Sequence, residues 1–317
     1  MITYIGRRIL QMIPLVFGIS VVLFAVIQAA PGGPEGALLD SGRFIDPEVI
    51  ESYRERVGVD QPVPVKYVRW LTAALSGDLG VSFSTTRPVS EMILERLPAT
   101  VELMAMAFLL AAMVAVLLGI FSAVRQYSLF DYFGTGLSFV GIAMPVFWFA
   151  LILQLVFGVW LGWFPLAGTE TVGASSFGDH LMHLVLPAVV LSFRYIAGWS
   201  RYLRSSLLGV LRADYVRTAR AKGLTEMRVI GVHAVRNALI PLISIMALNM
   251  AALFSGAVIT ETVFAWPGIG RMFVQAMFAR DYPLLMGILM MGSVMVVVFN
   301  LIADILYGVL DPRIRYE

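Results

Sequence analysis

Chemistry at a nucleotide phosphate needs a lysine in a Gly-Lys-Ser/Thr setting, where loop amides and the ammonium cradle the phosphates together. This chain has two lysines, Lys66 after Val65 and Lys222 after Ala221, and neither completes that motif. Cysteine is absent, which removes disulfides, thiolate metal sites and thiol nucleophiles. His180 and His183 lie three apart, near enough on one helical face to share a metal, with Asp179 beside them. Paired histidines at a membrane entrance are more often interfacial than ligating, so no metal site is expected. His233 has no partner nearby in sequence and is read as structural. No paired acids and no Ser-Lys or Ser-His arrangement suited to an intramembrane enzyme stand out, so no catalytic residue is expected. The densest chemistry is cationic: Arg217, Arg220, Lys222 and Arg228 fall within twelve residues, in DYVRTARAKGL at 214–224 and the TEMR that follows.

The rest of the chain must position that cluster, and it is apolar. Of 317 residues, 59% are hydrophobic and 14% charged, and the mean hydropathy is +0.84. A soluble domain of this size is about half apolar and about a quarter charged. An all-α membrane protein follows. Runs of about twenty apolar residues mark spanning helices, and six are expected, over 9–30, 101–124, 133–160, 184–200, 238–260 and 284–309. The run at 133–160 is long and reads as tilted or trimmed. Arg7 and Arg8 before the first run resemble the start of a signal peptide, but the run is about twice the usual length, so an uncleaved helix is expected.

The placement of Lys and Arg sets the orientation. Segment 201–236 carries eight basic residues, 161–183 has none and 264–283 has Arg271 and Arg280. With Arg7, Arg8, Arg125, Arg313 and Arg315 on the same side as 201–236, both termini are expected in the cytoplasm. The outer segment 31–99 is expected to be an organised helical cap. One helix there starts at Asp46-Pro47 and ends at Gly58, and another carries the stripe Val65, Val68, Leu71 and Leu75. The chain reads as a single membrane domain over 1–317.

Polar groups inside spans are costly and point to function unless they pair. Arg194, Asn249, Ser255, Asn300 and Asp304 qualify, and Asp304 is the lone acid well within an expected span. Hydrogen bonding between helices is the simpler role for Asn249 and Asn300. Arg194 reads as reaching toward the cytoplasm, with 192–204 continuing as one helix from membrane to loop. Met144-Pro145 and Pro187 are candidate kinks that could free carbonyls to line a cavity. A pathway role is assigned to Met144, Asn249 and Ser255.

The loop 201–236 exceeds what a simple connection requires. Helix formers run from Tyr215 to Lys222, Gly223 can take the left-handed conformation that ends a helix, and Thr225 can cap a second helix through Glu226 to Arg236. Topology and lipid contact would explain the charge alone. A helix, a sharp glycine corner and another helix form a rigid protrusion suited to a cleft on a cytoplasmic partner.

YVRTARAKGL followed by NALIP resembles the peptide-type form of the EAA loop, the mark of permease subunits of binding-protein-dependent ABC importers. PGGPEG, GVDQPVPVKYVRWL, GDLGVSF, RPVSEMILERLPATVEL, LGWFPLAG, ETVFAWPGIG and DPRIR, in that order, are similar to the dipeptide, oligopeptide and nickel permease family along essentially the whole chain. The general pattern has Glu-Ala-Ala, three residues and Gly. Aligned on Gly223 those positions are Arg217, Thr218 and Ala219, so only Ala219 and Gly223 match it. The resemblance implies the MetI-like fold of type I ABC importer permeases, in a bacterial cytoplasmic (inner) membrane. It implies a second homologous permease as heterodimer partner, two cytoplasmic ATPase subunits holding ATP and Mg, and an extracytoplasmic solute-binding protein. It implies lipid but no nucleic acid as a further partner, and no cofactor on this chain. The residues it points to for ATPase coupling are Asp214, Tyr215, Arg217, Thr218, Ala219, Arg220, Ala221, Lys222, Gly223 and Leu224. Glu261 and Trp266 are expected at a contact with the binding protein or partner permease. Dipeptides or oligopeptides are the expected solutes, with nickel complexes, glutathione and oligosaccharides as alternatives on the same architecture. A channel working without ATP is a remote alternative that would not need the corner at Gly223.

Overall fold

A computed structural model describes residues 2–30, 61–174 and 176–310 of the chain. The expected helix at 46–58 and the DPRIR ending with Arg313 and Arg315 lie outside the described residues, as does the side chain of Ser255. The structure is all-helical: among the described residues, the strand-like feature is an isolated antiparallel bridge between Val81 and Pro88. Among the described residues, ten α-helices of eight residues or more carry the fold. They are α1 (Ile2–Gln28), α2 (Val63–Leu75), α3 (Val89–Val124), α4 (Leu129–Ala143), α5 (Val146–Leu153), α6 (Phe177–Leu211), α7 (Asp214–Ala221), α8 (Arg236–Val263), α9 (Ile269–Ala279) and α10 (Tyr282–Leu310). Among the described residues, five stretches are long and apolar enough to cross a membrane, and the bent pair Leu129–Ala143 and Val146–Trp160 makes a sixth if it counts as one.

The chain divides into two compact units. In the first, formed by 1–101 and 265–298, α2 lies along α1. The Tyr67 hydroxyl sits 2.7 Å from Ser20 Oγ, which itself bonds the Phe17 carbonyl, and Phe24 meets the Tyr67 ring edge to face at 5.4 Å between centroids. Ser20 is thus satisfied within an apolar run. The loop between α2 and α3 folds around Asp281, a buried carboxylate just before α10. Asp281 accepts from Ser82 Oγ and from the amides of Phe83 and Ser84, and also bonds the Leu284 amide in the first turn of α10. One side chain therefore caps a helix and fixes a loop about two hundred residues away in sequence. The segment before α9 is bolted to α3: Trp266 Nε1 donates to the Ala99 carbonyl at 2.9 Å and the Ile269 amide to Thr100 Oγ1 at 2.8 Å.

The second unit, 102–264 and 299–317, is built around α6. Its buried Trp199, Leu203 and Leu207 pack with Ala111 and Ala115 of α3 and Ala238 and Leu242 of α8. Small residues on the neighbouring helices leave room for the large ones on α6, so the backbones approach closely. Pro187 lies inside α6 without ending it, and the expected continuity of 192–204 holds.

The expected single span over 133–160 is broken. Pro145 forces the residue before it toward extended backbone, and Met144 sits at φ −78° and ψ 127°. The axes of α4 and the helix that follows differ by 112°, and α5 runs on as a π-helix over Gln154–Trp160. Gln154 Nε2 then donates to the Leu166 and Val263 carbonyls, at 2.7 and 3.2 Å. The expected start of the second span moves as well, because α3 begins at Val89, a dozen residues before 101.

Removing the Asp281 carboxylate strands buried donors, each of which costs about 1–3 kcal/mol. Asp281→Ala is expected to lower the thermal midpoint of the purified protein by the equivalent of about 3 kcal/mol, with Asp281→Asn intermediate because its single amide oxygen can satisfy only part of the donor set. Unfolding monitored in detergent checks this.

Candidate functional site

α6 delivers the loop. After Leu211, Arg212 and Ala213 turn the chain, and α7 begins at Asp214 with Ala213 in extended backbone, φ −70° and ψ 148°. α7 ends as the sequence suggests. Gly223 takes φ +76°, its amide bonds the Arg220 carbonyl at 2.9 Å, and the Leu224 amide bonds the Ala219 carbonyl at 3.4 Å. This paired closure is a Schellman motif, which satisfies the last carbonyls of a helix and turns the chain sharply. Nothing lies within 4 Å of a Cβ built on Gly223, so glycine is required there by backbone conformation and not by space.

An apolar knot sits beneath the corner: Val216 and Ala219 of α7 pack on Val229, with Val210 of α6 and Leu224 against them. Leu224 supplies the hydrophobic contact that accompanies this closure. α7 is thereby fastened to the end of α6. Of the ten residues singled out, Ala219 is buried and Leu224 half-buried, while Asp214, Tyr215, Arg217, Thr218, Arg220, Ala221, Lys222 and Gly223 are exposed. The two positions that match the broad EAA pattern, Ala219 and Gly223, are the one that packs inward and the one that turns the chain. The positions that depart from it, Arg217 and Thr218, face outward.

The outward cations differ in freedom. Arg220 bonds Glu226 through both Nε and a terminal nitrogen, at 3.2 and 2.7 Å, closing the corner from outside. That bond pushes the Arg220 value further above its ordinary level. Arg217 stands 3.7 Å from Asp214 one turn back. Thr225 occupies the expected position before the next helix, but its side chain makes no capping bond. That helix is also not regular: one turn, Glu226–Arg228, passes into a π-helix over Val229–Val235 and then into α8. Asn237 Nδ2 bonds the His233 carbonyl at 2.7 Å.

Elsewhere the expected residues separate. Met144 is at the break between α4 and α5, on an open apolar concavity of about 450 Å³ lined by Val140, Ala143, Met144, Pro145, Phe147 and Trp148. Asn249 bonds back to the Ile245 carbonyl of its own helix at 2.7 Å, rather than across to a neighbour. Glu261 and Trp266 are both 0% exposed, so their side chains lie inside and not on a face. His180 places Nε2 2.7 Å from Glu102 Oε1 and Nδ1 3.1 Å from the Thr169 carbonyl, whereas His183 Nδ1 faces the Asp179 carbonyl at 3.2 Å. The two rings serve separate contacts.

One pair escaped the sequence reading. Asp131, in the first turn of α4 and 2% exposed, receives Arg204 of α6 as a fork, Nε to Oδ1 and a terminal nitrogen to Oδ2, both at 2.6 Å. The Tyr127 amide completes its coordination at 3.0 Å. The available signal was Ser128-x-x-Asp131, a capping spacing at a helix start, and Ser128 Oγ does accept from the Asp131 amide at 3.3 Å.

A helix bundle of this kind, with an exposed helical corner fixed to the end of one of its longest helices, defines a membrane component of a transport system. The chain belongs to the family of binding-protein-dependent transport system inner membrane components: residues 115–316 match that family, and residues 1–104 match its companion N-terminal membrane component. It is 46% identical to the oligopeptide transport system permease protein AppB of Bacillus subtilis and 39% identical to the di/tripeptide transport system permease protein DppB of Pseudomonas aeruginosa, each match covering 100% of both chains. In fold it is similar to a chain of the MetNI methionine ABC transporter in inward-facing conformations, with TM-score 0.56 at 14% identity, covering 69% of this chain and 96% of that one. An amino acid ABC transporter with histidines gives TM-score 0.51 at 14% identity, over 69% and 94% of the two chains. The fold is that of a type I ABC importer permease, and the chain is a multi-pass protein of the inner membrane.

Gly223→Val must hold a β-branched residue at positive φ, at a cost on the order of 1 kcal/mol or more. The corner should open, and limited trypsin digestion should cut at Lys222 faster than in the parent. Gly223→Asn, which tolerates this backbone, should fall between the two.

Proposed function

We propose that this chain forms half of the translocation pathway of an ATP-driven importer of dipeptides and oligopeptides. It pairs with a second, homologous permease, and two cytoplasmic ATPase subunits, which hold the ATP and Mg, drive the cycle. An extracytoplasmic binding protein delivers the peptide. This chain is not an enzyme and binds no cofactor of its own. Its termini and the 201–236 loop lie on the cytoplasmic side, in keeping with the Lys and Arg asymmetry.

The observation that carries the reading is the corner itself: an exposed helical face from Asp214 to Lys222 fastened by the Val216, Ala219 and Val229 knot to the end of α6. A lipid-binding loop has no use for such rigidity. A lever that must pass a displacement from a partner into the membrane does. In this reading α7 sits in a groove on one ATPase, with Tyr215, Arg217, Thr218, Ala221 and Lys222 making the contact. Ala219, Gly223 and Leu224 keep its shape, and Arg220 with Glu226 braces the turn. When nucleotide closes the ATPases, α7 and α6 move together and the pathway changes the side to which it opens, a hinge-type switch between two packed states.

The pathway runs past Met144, where the span breaks and presents an apolar concavity suited to varied peptide side chains. Asn249 and Ser255 of α8 also belong to it. Glu261 and Trp266, being buried, serve a contact with the binding protein or the partner permease only by holding the shape of the segment that makes it.

Purification of the tagged chain from its native membrane in mild detergent should bring a second permease and ATPase subunits with it. ATP hydrolysis by that complex should rise when short peptides and the binding protein are added. A chain recovered alone, without ATPase, would overturn the reading. In the same complex, Gly223→Val should leave the subunits associated and lower the peptide carried per ATP hydrolysed; an unchanged ratio would make the corner a mere connector.

A further inference from the structure

We propose that the Asp131–Arg204 fork is a positioning pair that passes the movement of α7 to the broken span; this rests on the importer reading above. Three observations lead there. First, Arg204 lies on α6 seven residues before that helix ends at Leu211, about 10 Å along the axis at helical rise. With Val210 packed in the knot beneath α7, Arg204 travels with α7. Second, the partner acid sits in the opening turn of α4, and the preceding turn is tied to the same carboxylate through the Tyr127 amide. Tyr127 holds φ +63°, a conformation that a tyrosine keeps only where its surroundings impose it. The fork thus grips both α4 and the turn that leads into it.

Third, apart from Arg201, which lies over the Phe139 ring at 5.2 Å to its centroid, α4 meets α6 along this seam through small side chains. Ser138 and Ser200 bring their hydroxyls to 3.4 Å, and Gly141 leaves so little room that an added Cβ would lie 3.1 Å from Ala197 Cβ and 3.2 Å from the Phe193 ring. Small side chains let helices approach closely, but they present shallow ridges, and ridges are what resist sliding. Along this seam the bidentate bond is the contact with strict geometry in two dimensions, because a guanidinium fork matches a carboxylate in one orientation. The seam continues up α4 to Met144, where the span breaks by 112°. A displacement of α6 conveyed through the fork therefore arrives at the break. Without the fork, α6 would slip against α4 and the break would not follow.

The test uses the whole complex with its binding protein, reconstituted in proteoliposomes, with tritiated trialanine as the transported probe. Uptake and ATP hydrolysis are measured together. Arg204→Lys keeps the charge and loses the fork. It should yield an assembled complex that still hydrolyses ATP while uptake per ATP falls about fivefold or more, in the range of ordinary coupling effects. Asp131→Asn combined with Arg204→Met removes both charges, so no buried ion is stranded. It should restore the thermal stability that Arg204→Met alone loses, yet not the uptake per ATP. An unchanged ratio in Arg204→Lys, or a normal ratio in the double variant, would overturn the proposal and leave the pair a packing device. Failure of both variants to assemble would overturn it too, since the pair would then be needed for folding. If the unaltered complex shows no ATP-driven uptake of the probe, the importer reading fails instead, and the two failures are distinct.

Discussion

A helix facing hydrocarbon closes its backbone hydrogen bonds within itself, so its length is free to exceed the bilayer while it can break only where protein or a cavity satisfies the freed groups. α6 uses that freedom. Its 35 residues extend about 52 Å at helical rise, against about 30 Å of hydrocarbon. The helix is unbroken over that length and ends at Leu211, just before α7. The apolar layers of the second unit are arranged around this shaft: Trp199, Leu203 and Leu207 fill the space between α3 and α8, and Arg204, on the same stretch, reaches α4. Tilt or translation at the α7 end would be felt by every helix that packs on it.

The same constraint explains why the span of α4 and α5 is different. Proline at 145 supplies no amide and drives Met144 to extended backbone, so carbonyls near the break lose their intrahelical partners. A break is tolerable at membrane depth where it lines a cavity or packs on protein. Here the turn after the π-helix is held by Gln154 on two carbonyls and by the Gly168 amide on the Phe264 carbonyl. The irregular backbone is therefore pinned at its far end by polar bonds and at its near end by the Asp131 fork, with the bend between the two anchors.

What could be read from the sequence follows from the range of each signal. Apolar runs and glycine corners are local, and both were legible: α6, α8 and α10 contain the expected spans, and Gly223 has the positive φ assigned to it. Where charge interrupts a helix, the signal fails. Glu91, Glu95 and Arg96 hid the first dozen residues of α3, although Arg87 bonds Glu95 and holds that end in helix. π-helical turns leave no periodicity to read, and both were missed. Asp131 and Arg204 are 73 residues apart, and no spacing rule connects them. In the segment 214–224 the residue types are legible in the sequence and their sides are not. Ala219 was grouped with outward neighbours, and its burial became visible only with Val229 folded back against it.

A loop of this kind can change its outward residues without losing its shape. The inward and turning positions, Ala219 and Gly223, are fixed by steric and backbone constraints internal to the chain: a larger side chain at 219 would lift α7 off the knot, and positive φ at 223 penalises anything with a Cβ. The outward positions answer only to the surface they meet. An arginine at 217 in place of an acidic residue reverses the sign of that contact, and a loop with this sequence would be a poor fit to a groove shaped for the acidic form. Shape would then be held by the permease alone, while partner choice is settled by charge on the exposed face. If α7 docks on an ATPase, a groove that carries acidic groups fits it better than a neutral one, because desolvating Lys222, and Arg217 with only Asp214 at 3.7 Å to offset it, is costly against a neutral surface.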